Sequence, residues 1–197
     1  MPRRPASYSI LAALLLLASC REARVAAYRV PKETPMPAPA TTPSQPDMAS
    51  TSVPTASGAG LTWTAPADWE VQAPAAMRRG SYLITGTDGS TADLSITAFP
   101  GDVGGDLANV NRWRGQIQLP PLTMEELSGL FTELEARGLT LKFVDLANPQ
   151  LAEPMRILGG LVSYQGNTWF FKLMGPAALV AREKPAFVAF LESVKAP

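Results

Sequence analysis

The chain has 197 residues, 46% hydrophobic and 17% charged, with no formal net charge; that length allows one ordinary domain plus extras. It holds no histidine and one cysteine, which removes the usual general base near neutral pH, an internal disulfide and a cysteine-rich zinc site. The charge is uneven: residues 1–59 carry +3 and residues 60–197 carry −3, so the larger part has no electrostatic footprint for nucleic acid.

Arg3 and Arg4 form a basic start, and Ile10 to Leu17 is an apolar run of signal-peptide length, too short to span a bilayer. The run closes as Leu17-Ala18-Ser19-Cys20: a leucine, two small residues, then the chain's one cysteine. The segment resembles the signal peptide and lipobox of bacterial lipoproteins. That resemblance implies cleavage after residue 19 and lipidation of Cys20 on sulfur, so that Cys20 becomes the acylated N-terminus. Several acyl chains on one residue make a durable membrane anchor, where one chain alone binds marginally. In Gram-negative lipoproteins an aspartate after the cysteine favours retention in the inner membrane. Arg21 stands there, so the resemblance favours the periplasmic face of the outer membrane. An ordinary secretory signal with a chance cysteine is the plainer alternative.

Residues 20–59 follow as a tether. Prolines at 31, 35, 37, 39, 43, 46 and 54 lie among Ala, Ser and Thr, with almost no large apolar residues. Such a segment buries too little surface to offset ordering entropy, so disorder is expected. A flexible chain of that length spans roughly 35 Å, and a fully extended polyproline-like one about 120 Å. A proline-rich ligand for a partner is the functional alternative.

The domain is expected over residues 60–197. LTWTAP and DWEVQ read as short strands separated by Pro66. GSYLITG and TADLSITAF read as a hairpin through Asp88-Gly89, which tolerate positive φ. A first helix is expected after Gly105. A second starts at Thr123, with Glu126 completing a capping box, and carries Leu127, Leu130, Phe131 and Leu134 as an apolar stripe toward a C-cap at Gly138. LTLKFVDL, MRILGGLVSYQ and TWFFKLM then read as strands, with a turn at Gly166-Asn167 and a bulge or bend at Gly159-Gly160. A last helix holds Val180, Phe187, Val188, Phe190 and Leu191, and Pro185 is expected to split or kink it. The order of elements indicates an α+β domain with a central antiparallel sheet covered by helices.

Trp63, Pro66 and Trp69 form a W-x-x-P-x-x-W opening before the hairpin, and the chain closes with TWFFKLMGP and a helix ending FVAFLESV. This order resembles PsbP-like domains over residues 61–195. The resemblance implies an accessory or binding protein, not an enzyme. No metal or cofactor residue of that family carries over onto a position of this chain, and no cofactor is expected. The combination also resembles anchored bacterial proteins with no assigned activity. A membrane-anchored envelope lipoprotein with a non-catalytic binding or accessory domain is the expected function. An envelope enzyme and a structural envelope component are the alternatives, and an envelope protein is a possible partner.

The densest chemistry is FPGDVGGDLANVNRWRGQI, residues 99–117. Pro100-Gly101-Asp102 reads as a turn, Gly104-Gly105 as a flexible approach, and Asp106 as the helix N-cap. At helical spacing Leu107, Val110, Trp113 and Ile117 share a face. Arg112 and Gln116 point to solvent, whereas Arg114 falls beside Val110 and Asn111 at the edge of the apolar face. A charge there needs a partner or a path to water. Three readings compete. Arg114 and Asn111 bind backbone carbonyls or an acid such as Asp102 and pin the loop. Alternatively, the glycines and helix start hold an anion with an arginine's help. Or Arg112 and its neighbours form a protein-contact patch. The glycines fit neither a P-loop nor G-x-G-x-x-G. Asp102 and Asp106 fall short of an EF-hand's oxygen ligands. Ser81 and Ser163 lie in no nucleophile motif, although a Ser–Lys pair is possible in principle. Limited proteolysis of the full chain should cut within residues 21–59 and leave a stable fragment starting near Leu61. Equal amide protection along the whole chain would refute the tether.

Overall fold

Alternation along the strands decides the architecture. The computed structural model describes residues 60–197; the expected signal segment, Cys20 and the proline-rich stretch lie outside the described residues. The elements in order are β1 (Glu70–Val71), β2 (Arg78–Thr85), β3 (Thr91–Pro100), α1 (Gly105–Gln116) and α2 (Met124–Ser128). They continue with β4 (Thr132–Ala136), β5 (Leu139–Asn148), β6 (Met155–Tyr164), β7 (Asn167–Pro176) and α3 (Ala177–Glu192). The strands form one seven-stranded antiparallel sheet in the order β1-β2-β3-β7-β6-β5-β4. Among the described residues no helix is long and apolar enough to cross a membrane.

Both faces of the central strands are apolar, so both are covered. On β7, Trp169, Phe171 and Leu173 join one core with Leu179, Val180, Phe187, Phe190 and Leu191 of α3. Phe170 turns the other way and joins a second core with Val110, Trp113 and Ile117 from α1 and its end, and Leu127 of α2. The two tryptophans of the opening segment lock it onto α3. Trp63 meets Phe171 and Phe190 edge-on at 6.2 and 6.5 Å, and Trp69 packs on Phe190 at 5.5 Å. Each such pair contributes about 0.5–1.5 kcal/mol beyond its buried area. Trp63 donates to the Tyr82 hydroxyl (2.8 Å) and Trp69 to Glu183 (3.3 Å), which satisfies their indole N–H groups. At the other end of the sheet Asp145 joins β5 to β6 and α3, accepting from Arg156 at 2.7 and 2.6 Å and from Lys184 at 2.8 Å. Burial alone pushes its carboxyl up, but the bonds from Arg156 and Lys184 outweigh it and hold the group below its ordinary value.

Several expected elements differ. LTWTAP is not a strand: Thr62 makes one isolated bridge to Lys195, and DWEVQ contributes only Glu70–Val71. The capping box at Thr123 and Glu126 forms, but its helix ends at Ser128. Leu134 lies on the edge strand β4 instead, and Gly138 (φ 86°) with Arg137 (φ 49°) makes the tight turn into β5. Pairing with β5 overrides the helical spacing because a strand there extends the sheet across the end of α3. Pro185 does not divide the last helix, which runs unbroken from Ala177 to Glu192. The β6–β7 turn sits one residue earlier than expected, at Gln165 (φ 48°) and Gly166 (φ 71°).

Gly159-Gly160 is neither bulge nor bend. Both residues stay in register with β5 and β7, and the sheet's bulge lies between Arg78 and Gly80 on β2. The pair is needed for space. A Cβ on Gly159 would overlap the six-membered ring of Trp113, and one on Gly160 would stand 2.8 Å from Leu191 Cδ2. One glycine admits α1 and the other α3, on opposite faces. Gly159→Ala should therefore cost about 1–3 kcal/mol in a denaturant melt, the range of an overpacked core. In the Trp113→Leu background the same change should cost clearly less, and strict additivity of the two would show that the ring and the glycine are not coupled.

Candidate functional site

The loop into α1 is held by its own side chains. Asp102 accepts the Gly104 N–H through its carboxylate (3.3 Å), and its carbonyl accepts the Gly105 N–H (3.0 Å). Backbone φ is positive at Val103 (51°), Gly104 (86°) and Gly105 (77°). Valine is β-branched, and this conformation costs it on the order of 1–2 kcal/mol. Asn109 offsets that strain. It is 3% exposed, and its amide donates to the Val103 carbonyl (3.2 Å) and the Gly105 carbonyl (2.7 Å). Gly104, not Asp106, is the N-cap, and it supplies no side-chain bond. Asp106 sits in the first turn and pairs with Lys142 of β5.

The sequence-selected residues separate into two groups. Asn111 and Arg114 secure the loop that leaves α1. Asn111 donates to the Leu122 carbonyl (3.0 Å) and accepts from the Leu122 N–H (2.7 Å), as a strand partner would. Arg114 donates from Nε to the Pro120 carbonyl at 2.7 Å. Its partner is thus a backbone oxygen of the following loop and not Asp102, which faces the preceding one. Arg112 is exposed, and it donates from Nη1 to the side-chain oxygen of Asn109 at 2.6 Å. The same buried amide that braces Val103 therefore aims Arg112.

Two open pockets flank α1. The first, about 290 Å³, lies toward β5 and β6 and includes Asp102, Asp106, Lys142 and Ser163. Its lysine and Asp106 neutralise each other. Among the described residues no set of three His, Cys, Asp or Glu side chains gathers as a metal-binding group. The second pocket, about 240 Å³, lies toward β3 and β7. β3 supplies Ser95, Thr97 and Phe99; β7 supplies Phe170 and Lys172; α1 and its loop supply Val103, Asn109, Arg112 and Trp113. The rings form a continuous wall, with Phe170 at 6.3 Å from Phe99 and 6.1 Å from Trp113.

Lys172 is the residue the sequence reading missed. It is the one charge in the strand TWFFKLM, and alternation puts it on the face of Phe170. That lone charge in an apolar strand was the available signal. Its Nζ donates to Gln116 at 2.9 Å. Burial is the main influence on its ammonium and pushes it below the ordinary value; Asp93 opposes this and Arg78 adds to it. Asp93 itself is engaged by Arg78 in a two-pronged pair at 2.8 and 3.0 Å. Among the described residues neither Lys172 nor Arg112 makes an ion pair.

The hydrogen bonds rank the loop residues. Asn111→Ala strands both polar groups of Leu122 and should cost about 1–3 kcal/mol. Arg114→Ala breaks one water-accessible bond and should cost about 0.5–1.5 kcal/mol. Arg112→Ala removes the partner of the Asn109 side-chain oxygen and should cost about 0.5–1.5 kcal/mol. Urea melts of the three variants check this order, and a larger loss at Arg112 than at Asn111 would contradict it.

No protein-family model matches this chain, and no curated protein does. Among solved structures the chain is similar to LpqN of Mycobacterium tuberculosis, described as involved in cell envelope biogenesis. That similarity has 13% identity and a TM-score of 0.46, over 71% of this chain and 85% of that one. A Bacteroides thetaiotaomicron protein is similar at 12% identity and TM-score 0.42, over 70% of this chain and 45% of that one. This chain therefore spans less than half the length of the Bacteroides protein. A Pseudomonas aeruginosa protein of unknown function is similar at 10% identity and TM-score 0.38, over 70% of this chain and 97% of that one. At these values none of the three carries an assignment of function.

Proposed function

We propose that the chain is a bacterial cell-envelope lipoprotein, anchored through Cys20, whose α+β domain works by binding and not by catalysis. The anchor reading rests on the sole cysteine standing directly after Leu17-Ala18-Ser19. With Arg21 next, the outer membrane, periplasmic face, is the favoured location. The tether of residues 20–59 lets the domain reach partners away from the bilayer. PsbP-like domains, which the chain resembles, give the same accessory reading.

The observation that carries binding is the second pocket beside α1. It gathers two cations, two hydroxyls and three aromatic rings on rigid elements, the mixture of apolar wall and few polar groups that ligand sites use. The enzyme alternative has one feature in its favour: Ser95 stands directly opposite Lys172 in the β3–β7 register. A working nucleophile needs its base within hydrogen-bond reach. The Lys172 ammonium donates to Gln116, which favours the binding reading over that chemistry.

Cys20→Ala tests the anchor. The variant should lose palmitate incorporation and move from the membrane to the soluble fraction. Labelling that persists in Cys20→Ala would overturn the lipoprotein reading.

A further inference from the structure

Lys172 and Arg112 are cations held in place by neutral groups. Gln116 accepts from Lys172, and the buried Asn109 accepts from Arg112. Holding a cation by an amide fixes its direction without cancelling its charge. Asp93, the acid that acts on Lys172, is occupied by Arg78. Both cations line the same pocket of about 240 Å³, one from the sheet and one from the helix. One hydrogen bond to Asn109 leaves most of the guanidinium fork free, and one to Gln116 leaves ammonium donors free. Ser95 and Thr97 add hydroxyls on the floor. Phe99, Phe170 and Trp113 line the rest, a surface suited to an apolar or planar body but unable to pair with its charge.

We propose that this pocket binds a small organic anion, its carboxylate or phosphate head between Lys172 and Arg112 and its apolar body against Phe99, Phe170 and Trp113. This deepens the binding reading and rests on it. Two-cation recognition suits an oxyanion because each donor makes a charge-assisted bond, stronger than a neutral one. The pocket's volume of about 240 Å³ accommodates a body of single-ring size. The site differs from an anion held by the glycine loop: the charge comes from side chains on β7 and α1, and the loop's role is to support Asn109, which aims Arg112.

The test uses the full-length protein and four probes, phenylacetate, phenyl phosphate, neutral phenylacetamide and inorganic phosphate, followed by titration calorimetry and tryptophan fluorescence. Phenylacetate or phenyl phosphate should bind, and whichever binds tighter identifies the head. The matched neutral amide and inorganic phosphate should each be weaker by about tenfold or more, since each lacks one half of the recognition. Arg112→Gln and Lys172→Met should each weaken the better probe about tenfold. Arg112→Gln lies on an exposed position and keeps the test valid should Lys172→Met fold poorly. Equal binding of phenylacetamide and phenylacetate would overturn the anionic head. Binding unchanged in Arg112→Gln would overturn the site. No binding of any probe at millimolar concentration would overturn the ligand class. The broader binding reading is separate and is tested by isolating the lipoprotein from envelope membranes and identifying small molecules that co-purify with wild type but not with Arg112→Gln.

Discussion

Close approach of helix to sheet is the constraint on which the rest depends. An antiparallel sheet with two apolar faces needs cover on both, and the cover has to reach the backbone where the strands are most central. β6 solves this with adjacent glycines facing opposite ways, one beneath Trp113 and the other beneath Leu191. Removing two Cβ atoms weakens strand propensity locally. The loss is offset by pairing on both sides, since β6 is hydrogen-bonded to β5 and β7 in unbroken register. Seating Trp113 then fixes the height and rotation of α1. The helix carries Arg112 next to that anchor and Asn109 one turn earlier, so the pocket's outer wall inherits its position from the glycine.

The loop before α1 has a different logic. Its three consecutive positive φ values include a valine, which other conformations would suit better. The strain persists because the backbone is tied from several sides: Asp102 to Gly104, Asn109 to Val103 and Gly105, and Thr168 of β7 to Gly101 at 2.6 Å. Asn109 is central to this, since its amide N–H groups brace the loop and its oxygen directs Arg112. Strain, support and the direction of a cation are thus joined in one buried side chain. A polar residue buried to this degree is stable because each of its groups is paired.

Charge placement separates the two sides of α1. Toward β5 and β6 an acid and a lysine neutralise each other across the helix–sheet boundary. Toward β3 and β7 the cations meet only amide oxygens. Surface ion pairs contribute little to stability, commonly under about 1 kcal/mol, so the asymmetry has little effect on folding. It matters for what each side attracts: one pocket pairs its lysine with Asp106 and also holds the Asp102 carboxylate, and the other keeps net positive character beside an aromatic wall.

The sequence by itself determined the α+β class and the strands whose alternation is strong, such as TADLSITAF and TWFFKLM. It also placed the capping box at Thr123, because local chemistry decides a cap. It did not determine where that helix stops. Leu134 suits a helix stripe and an edge strand alike, and only pairing with β5 selected the strand, while Leu130 and Phe131 fall in the connection before it. The same limit holds at the site. Helical angle put Arg114 near the apolar face and Arg112 outside it, but it has no means of showing that Arg114 reaches Pro120 while Arg112 lines a pocket with a lysine some sixty residues away in sequence on β7. Spacing along a chain reports neighbours on one element. Which elements face each other depends on how much side chain stands between them, and here two missing Cβ atoms on β6 decided it.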